Sequence, residues 1–271
     1  MPGAPDPEYV LARRVLLDAL DALGEHRGSL VLVGAQAVYF HTGAAQMAVA
    51  EHTTDADLAL DPRLLQPHPL LAEVLGAAGF RPGKNPGTWL GASDVEVDLL
   101  VPDSLGGGGR RGARLPPHGN QVARKARGLE AALVDHAPHE IASLEPDVDQ
   151  RAHTVEVAGP TGLLVAKLHK IADRVGDVDR ARDKDALDVL RLLQAVPTAV
   201  LAERLQQLVN EPVCADVTRQ AVQLLGTLFA AEGGSGAEMA ARAAVPLENP
   251  DTIRASCAVL ASDLISACRI R

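Results

Sequence analysis

Apolar positions recur at helical spacing from about Pro7 to Leu23 and stop at Gly24, which predicts an opening helix. A short apolar run, Leu30-Val31-Leu32-Val33, reads as a buried strand, and Ala35 to His41 as a helix opening directly after Gly34. Asp55 to Leu60 has the pattern of a strand. Leu64 to Ala78 predicts a helix, interrupted near its start by Pro67 and Pro69 and closed before Gly79. Phe80-Arg81, Thr88 to Leu90 and Val95 to Val101 are strand candidates between turns rich in Gly, Pro, Asn and Ser. Leu105 to Asn120, with four consecutive glycines and Pro116-Pro117, predicts a loop. Val122 to Lys125, Glu140 to Leu144 and His153 to Val157 would complete a sheet.

After Gly159-Pro160 helical patterns take over: Gly162 to Val175, Asp183 to Ala195, Ala199 to Val209, Ala215 to Ala231 and Asp251 to Ile270. The expected class is therefore α+β. A mixed sheet flanked by helices fills residues 1–159, and a helical domain fills residues 160–271. No internal repeat is evident.

Composition sharpens this picture in four ways. Aromatic residues make up 2% of the chain, so the cores must be built from Leu, Val and Ala. No apolar run approaches the roughly 20 residues of a membrane span, and Met1 to Asp6 lacks the blocks of a secretion signal. Cys214, Cys257 and Cys268 are far apart and odd in number, and they read as reduced thiols in a cytoplasmic protein. The net charge of -9 argues against a polyanionic partner, but it hides a local reversal. Between Gly106 and Gly128 stand six basic residues (Arg110, Arg111, Arg114, Arg124, Lys125 and Arg127) and no acidic one. That stretch is either a contact for a polyanion or a solvated loop.

Candidate chemistry starts with Asp55-Ala56-Asp57. Alternate strand residues share a face, so these two carboxylates point the same way about 7 Å apart, opposite Ala56, Leu58 and Leu60. Carboxylates so spaced could share two divalent cations about 4 Å apart, the usual device for attack at phosphorus, or could lie on a solvated strand edge. Asp98 shares a face with Glu96 on the strand from Val95 and offers a third carboxylate, while Glu96 reads as structural. The strand-to-helix turn at Gly34-Ala35 would present backbone N–H groups to a phosphate. On the helix from Gly162, Lys167, Lys170 and Arg174 form a basic face opposite Leu164, Leu168, Ile171 and Val175; Asp185 and Asp188 are neighbours on the next helix. Those two faces would either pair with each other or serve a triphosphate and its metal. His136-Ala137-Pro138-His139 does not suit a helical zinc pair, and neither a G-x-S-x-G nor a Walker-type motif is present.

Taken in order, Gly34-Ala35, Asp55-x-Asp57 and Asp98 resemble the signature of the polymerase-beta-like nucleotidyltransferase superfamily. Lys167-Leu168-His169-Lys170, followed by Lys184-Asp185-Ala186-Leu187-Asp188, is similar to its AbiEii/AbiGii-type branch. In that branch a lysine helix precedes a basic-Asp-x-x-Asp helix, and its members include MenT-like toxins of toxin–antitoxin and phage-defence systems. The resemblance spans roughly residues 30 to 195. It implies a nucleotidyltransferase-type sheet domain that uses an NTP and two Mg2+ ions and modifies RNA, with the tRNA 3' end as favoured acceptor. Asp55, Asp57 and Asp98 would bind metal. Gly34, Ala35, Lys167, Lys170 and Asp188 would hold the nucleotide, with Asp98, Lys167 and Asp185 catalytic. A cognate antitoxin would be the protein partner, with no membrane involved. Two alternatives stand beside this expectation: a small hydroxylated acceptor of aminoglycoside type, and a catalytically inactive binding protein that keeps the fold.

Overall fold

The computed structural model describes residues 6–43, 53–174, 183–268 and 270. Val175, the expected end of one helix, lies outside them. The fold is α+β: an open, mixed sheet of eight strands with flanking helices, and a helical C-terminal region. Two compact units share the chain. One comprises Met1–Ala37, Glu51–Ala126 and His136–Ala158, the other Val38–Ala50, Arg127–Asp135 and Gly159–Arg271.

The first unit holds the sheet. In its interior runs β1 (Leu30–Val33), four apolar residues all buried, the composition of a strand covered on both faces. Antiparallel to it runs β2 (Asp55–Leu60), with Val33 opposite Asp57. Next comes β5 (Glu96–Pro102), parallel to β2, with Asp57 opposite Asp98 and Asp55 opposite Glu96. The far edge of β5 is shared: β4 (Thr88–Leu90) covers Glu96 to Asp98, and β6 (Arg124–Ala126) covers Leu100 to Pro102. The two-residue β3 (Arg81–Pro82) finishes that side. On the other side of β1 lie β8 (Ala152–Ala158), parallel to it, and then β7 (His136–Ala142). Pro138 is tolerated because β7 is an edge strand with one unpaired side.

Helix α1 (Pro7–Ala22) packs on β2, β5 and β8 through a stripe that includes Leu16, Leu17 and Leu20, all fully buried. Asp6 caps it, its carboxylate accepting from the N–H groups of Glu8 and Tyr9. Helix α3 (Leu71–Ala77) is shorter than the periodicity predicts. Pro67 and Pro69 drive the residues before them out of the helical region, so the helix starts only after both. The expected strand Val122 to Lys125 is displaced to Arg124–Ala126, and the glycine-rich tract before it carries only isolated bridges.

Helix α2 (Gly34–Thr42) begins in the sheet unit, and the division between units falls within it. The second unit continues with α4 (Leu129–Ala132), α5 (Pro160–Ala172), α6 (Lys184–Ala195), α7 (Thr198–Leu208), α8 (Ala215–Phe229), α9 (Ser235–Ala244) and α10 (Pro250–Ala267). The sequence pattern does not announce α9, because its buried stripe is made of Gly236, Ala237, Ala240, Ala241 and Ala244 with Met239 as the one large side chain. All three cysteines are buried thiols, and burial pushes Cys257 up to about 12. No helix of the described residues is long and apolar enough to cross a membrane.

One buried histidine ties the glycine-rich tract to the sheet unit. His118 Nδ1 accepts the N–H of Leu71 at 3.2 Å, which leaves Nε2 to donate to the Gln66 carbonyl at 2.8 Å. Burial, aided by the nearby His26 and His68, lowers its pKa against the opposing Gln66 hydrogen bond. Protonation would turn Nδ1 into a donor facing another donor. With the folded pKa below the unfolded value of about 6.5, the unfolded chain binds more protons in that window. Unfolding free energy measured by urea titration should therefore fall as pH drops through about 6.5, and His118→Asn should flatten that decline.

Candidate active site

The parallel register of β2 on β5 brings Asp57 and Asp98 side by side on adjacent strands, pointing to the same face of the sheet. Asp55 lies two residues along that face, opposite Glu96. The face is not the solvated surface that alternation suggests. Ala59 is fully buried, and Asp57 and Asp98 are only 8% and 7% exposed. Carboxylates so enclosed need partners, and the chain supplies them. Thr53 Oγ1 donates to Asp55 Oδ1 at 2.6 Å, and Thr88 Oγ1 donates to Asp98 Oδ1 at 2.7 Å. The Asp55 backbone is held as well: Arg13 Nε donates to Gln36 Oε1, and Gln36 Nε2 donates to the Asp55 carbonyl.

Gly34 stands against Asp57 at the point where β1 becomes α2. Its φ is +72°, and a Cβ added there would stand 2.8 Å from Asp57 Cβ and nearer still to Oδ2. Glycine is required twice over, by the left-handed backbone and by the close approach. The Asp57 carboxylate thus sits against the first turn of α2, the positive end of the helix dipole. Ala35, the next residue of that turn, is buried.

A residue that motif reading passes over completes this group. Arg124 Nη2 donates to Asp98 Oδ2 in a short ion pair. Opposite Leu100 across the parallel pair of β5 and β6, Arg124 lies on the same face as Asp98. Burial works to lower its pKa, but Asp98 first, then Asp57 and Glu96, override this and hold the guanidinium above its usual value. Glu96 is raised by burial and by the charges of Asp98 and Asp55, with Arg124 opposing. The only sequence signal for Arg124 is its place in a strand candidate following the apolar pair Val122-Ala123.

Three carboxylates in this arrangement are hard oxygen donors of the kind Mg2+ takes, so the donor set fits a divalent cation. Even so, no group of three or more His, Cys, Asp or Glu among the described residues is drawn together closely enough to hold a metal ion. At Asp98 one oxygen is taken by Thr88 and the other by Arg124.

In the second unit, α5 and α6 bring Lys167, Asp185 and Asp188 together. Lys167 Nζ donates to Asp185 Oδ1 and to Asp188 Oδ2, both at 2.6 Å, and all three side chains are at most 5% exposed. The nitrogen that the family resemblance assigns to phosphate is thus held between two carboxylates. Lys170 Nζ and Arg174 Nη1 reach Asp185 at 3.2 and 3.1 Å from positions about one-third exposed. Burial opposes charge on Lys167, but the two aspartates raise its pKa well above the ordinary lysine value. Burial also opposes charge on Asp185, yet Lys167, Lys170 and Arg174 carry its pKa far below the usual carboxylate range. Asp188 is pushed up instead, by burial and by Asp185, against the pull of Lys167.

The basic tract divides. Arg124 turns inward to Asp98, Lys125 reaches Asp103 at 3.2 Å, and Arg127 donates to Gln220. Arg110, Arg111 and Arg114 stay exposed, and Arg110 and Arg114 line a cavity of about 610 Å3 with Pro116, Pro117, Asn120 and Gln121. A second cleft, of about 380 Å3, opens beside Asp55 and is acidic, lined by Glu8, Asp94 and Glu96 as well.

A family model described as nucleotidyltransferase matches residues 13–214, which take in most of α1, the whole sheet and the Lys167 cluster. No curated protein and no solved structure matches the chain.

Lys167→Met would leave Asp185 and Asp188 buried without their central counter-charge. Removing one partner of a buried ion cluster typically costs about 3–5 kcal/mol, and a loss of that size is expected in the unfolding free energy from chemical denaturation.

Proposed function

This chain belongs to the nucleotidyltransferase family, and from that premise we propose that it moves a nucleoside monophosphate from an NTP to an RNA hydroxyl. The acceptor would be the tRNA 3' end, and the setting a toxin–antitoxin or phage-defence system of AbiEii type, with a cognate antitoxin as protein partner. The observation that carries this reading is the register of β2 on β5, with Asp57 beside Asp98 and Asp55 on the same face.

Asp55, Asp57 and Asp98 would hold Mg2+, two ions in all. When bound, these cations would neutralise charge developing on the α-phosphate and on the departing pyrophosphate. The acceptor oxygen forms a bond to the α-phosphorus as the bond to the β-phosphate bridging oxygen breaks, and Asp98 takes the hydroxyl proton. Gly34 and Ala35 would steady the triphosphate through the first turn of α2. In the second unit Lys167, Asp185 and Asp188 would fix the α5–α6 pair, and Lys170, part-exposed beside them, would be that cluster's own group for an anion. Arg110, Arg111 and Arg114 would meet the acceptor's backbone.

A second reading, a cationic small-molecule acceptor, is favoured by the acidic cleft beside Asp55. The two separate by charge. Changing Arg110, Arg111 and Arg114 together to Gln should weaken RNA labelling by about 10-fold or more and leave transfer to an aminoglycoside unchanged; the reverse pattern would favour the small acceptor.

The direct test incubates the purified protein with total RNA and each labelled NTP in turn, with and without Mg2+. Label should appear in RNA only with Mg2+. Asp57→Ala should reduce labelling by at least about 100-fold; unchanged labelling would remove Asp57 from the reacting centre.

A further inference from the structure

Arg124 stands outside the reading above, yet it is the side chain most intimately joined to the proposed third metal carboxylate. Both Asp98 oxygens are engaged, Oδ1 by the Thr88 hydroxyl and Oδ2 by the Arg124 guanidinium. Asp57 and Glu96 add their fields to the same guanidinium, so one fixed positive charge serves three carboxylates. A divalent cation bound between Asp57 and Asp98 would do the same electrostatic work at nearly the same place. A guanidinium and a dication a few ångströms apart in a half-buried site repel strongly.

The surroundings constrain how that conflict resolves. Strand β6 is pinned on one side to β5, and on the other the Lys125 N–H donates to the Arg111 carbonyl and the Ala113 N–H to the Ala123 carbonyl. The backbone at Arg124 is therefore held between two neighbours. Its side chain is 31% exposed, so it has a route out of the pair by rotation about its own bonds.

We propose that Arg124 and a divalent cation are alternative occupants of Asp98: the guanidinium holds this carboxylate in the metal-free protein and releases it when the cation binds. The inference rests on the reading that Asp57 and Asp98 take a divalent cation. It makes Arg124 a positioning residue, which offsets the mutual repulsion of Asp57, Glu96 and Asp98 before metal arrives and weakens the site's affinity for metal. Release would also free a guanidinium fork beside the place where phosphate oxygens gather, so that cation binding prepares the site for an anion.

The test is Mn2+ titration of the full chain without nucleotide, by calorimetry and by electron paramagnetic resonance of the free ion. Wild type, Arg124→Gln, Arg124→Lys and Asp57→Asn are compared. Arg124→Gln should bind Mn2+ at least about 10-fold more tightly than wild type, because a like charge has been removed at close range. Its melting temperature in EDTA should fall, and added Mn2+ should raise it more than it raises that of wild type. Arg124→Lys, which keeps the charge and loses the fork, should lie between, and it carries the comparison if Arg124→Gln does not fold. Equal or weaker Mn2+ binding by the Arg124 variants would overturn the inference, whatever their stability. If wild type binds Mn2+ and Asp57→Asn does not, the cation reading stands, and equal or weaker binding by the Arg124 variants then overturns the Arg124 inference alone. If wild type and Asp57→Asn titrate alike, or no variant binds Mn2+, the carboxylates do not hold a cation and both readings fall.

Discussion

The pairing of β2 with β5 is the constraint on which the sheet unit's chemistry depends. Parallel pairing at this register sets Asp57 opposite Asp98, and the period of two then places Asp55 and Glu96 on the same face. A slip of one residue would send Asp98 to the side occupied by Val97 and Leu99, and the group would cease to exist. The register is secured by burial, since Leu58, Leu99 and Val101 are fully enclosed and cannot change sides without carrying the carboxylates into the apolar layer they now fill. Packing chosen for stability thus also fixes the distance between charges.

Electrostatic balance accounts for much of what surrounds this group. Carboxylates buried this deeply would repel one another and lose hydration. Thr53, Thr88 and Arg124 answer each part of that problem, with hydroxyl donors at two carboxylates and a full counter-charge at one. The helical unit solves a similar problem in the opposite sense, burying one lysine between two aspartates and letting Lys170 and Arg174 reach in from the surface. Each cluster is built from neighbouring elements of its own unit.

The residues differ in how plainly the sequence announces them. The D-x-D spacing and Asp98 are readable because strand periodicity alone fixes which side chains share a face, and long periodic helices such as α1 and α6 declare themselves through large apolar residues. Helix α9 does not, since alanine carries its buried stripe. Helix α3 is overestimated because its apolar pattern continues through residues whose backbone the prolines forbid from being helical. Arg124 is illegible for a different reason. It lies 26 residues from Asp98 at the end of a basic tract that reads equally as a polyanion contact or a solvated loop, and only the pairing of β6 with β5 sets it beside that carboxylate. The fate of Lys167 is likewise a matter of tertiary contact: the spacing permits pairing with Asp185 and Asp188 and equally permits a free amine.

The tight seat of Asp57 over Gly34 means that these two positions cannot drift independently. Any side chain arriving at residue 34 displaces the carboxylate opposite it while leaving that carboxylate in the sequence. The carboxylate could therefore be unseated by a mutation that touches no acidic residue, and restoring its place would call for a compensating change across the strand pair.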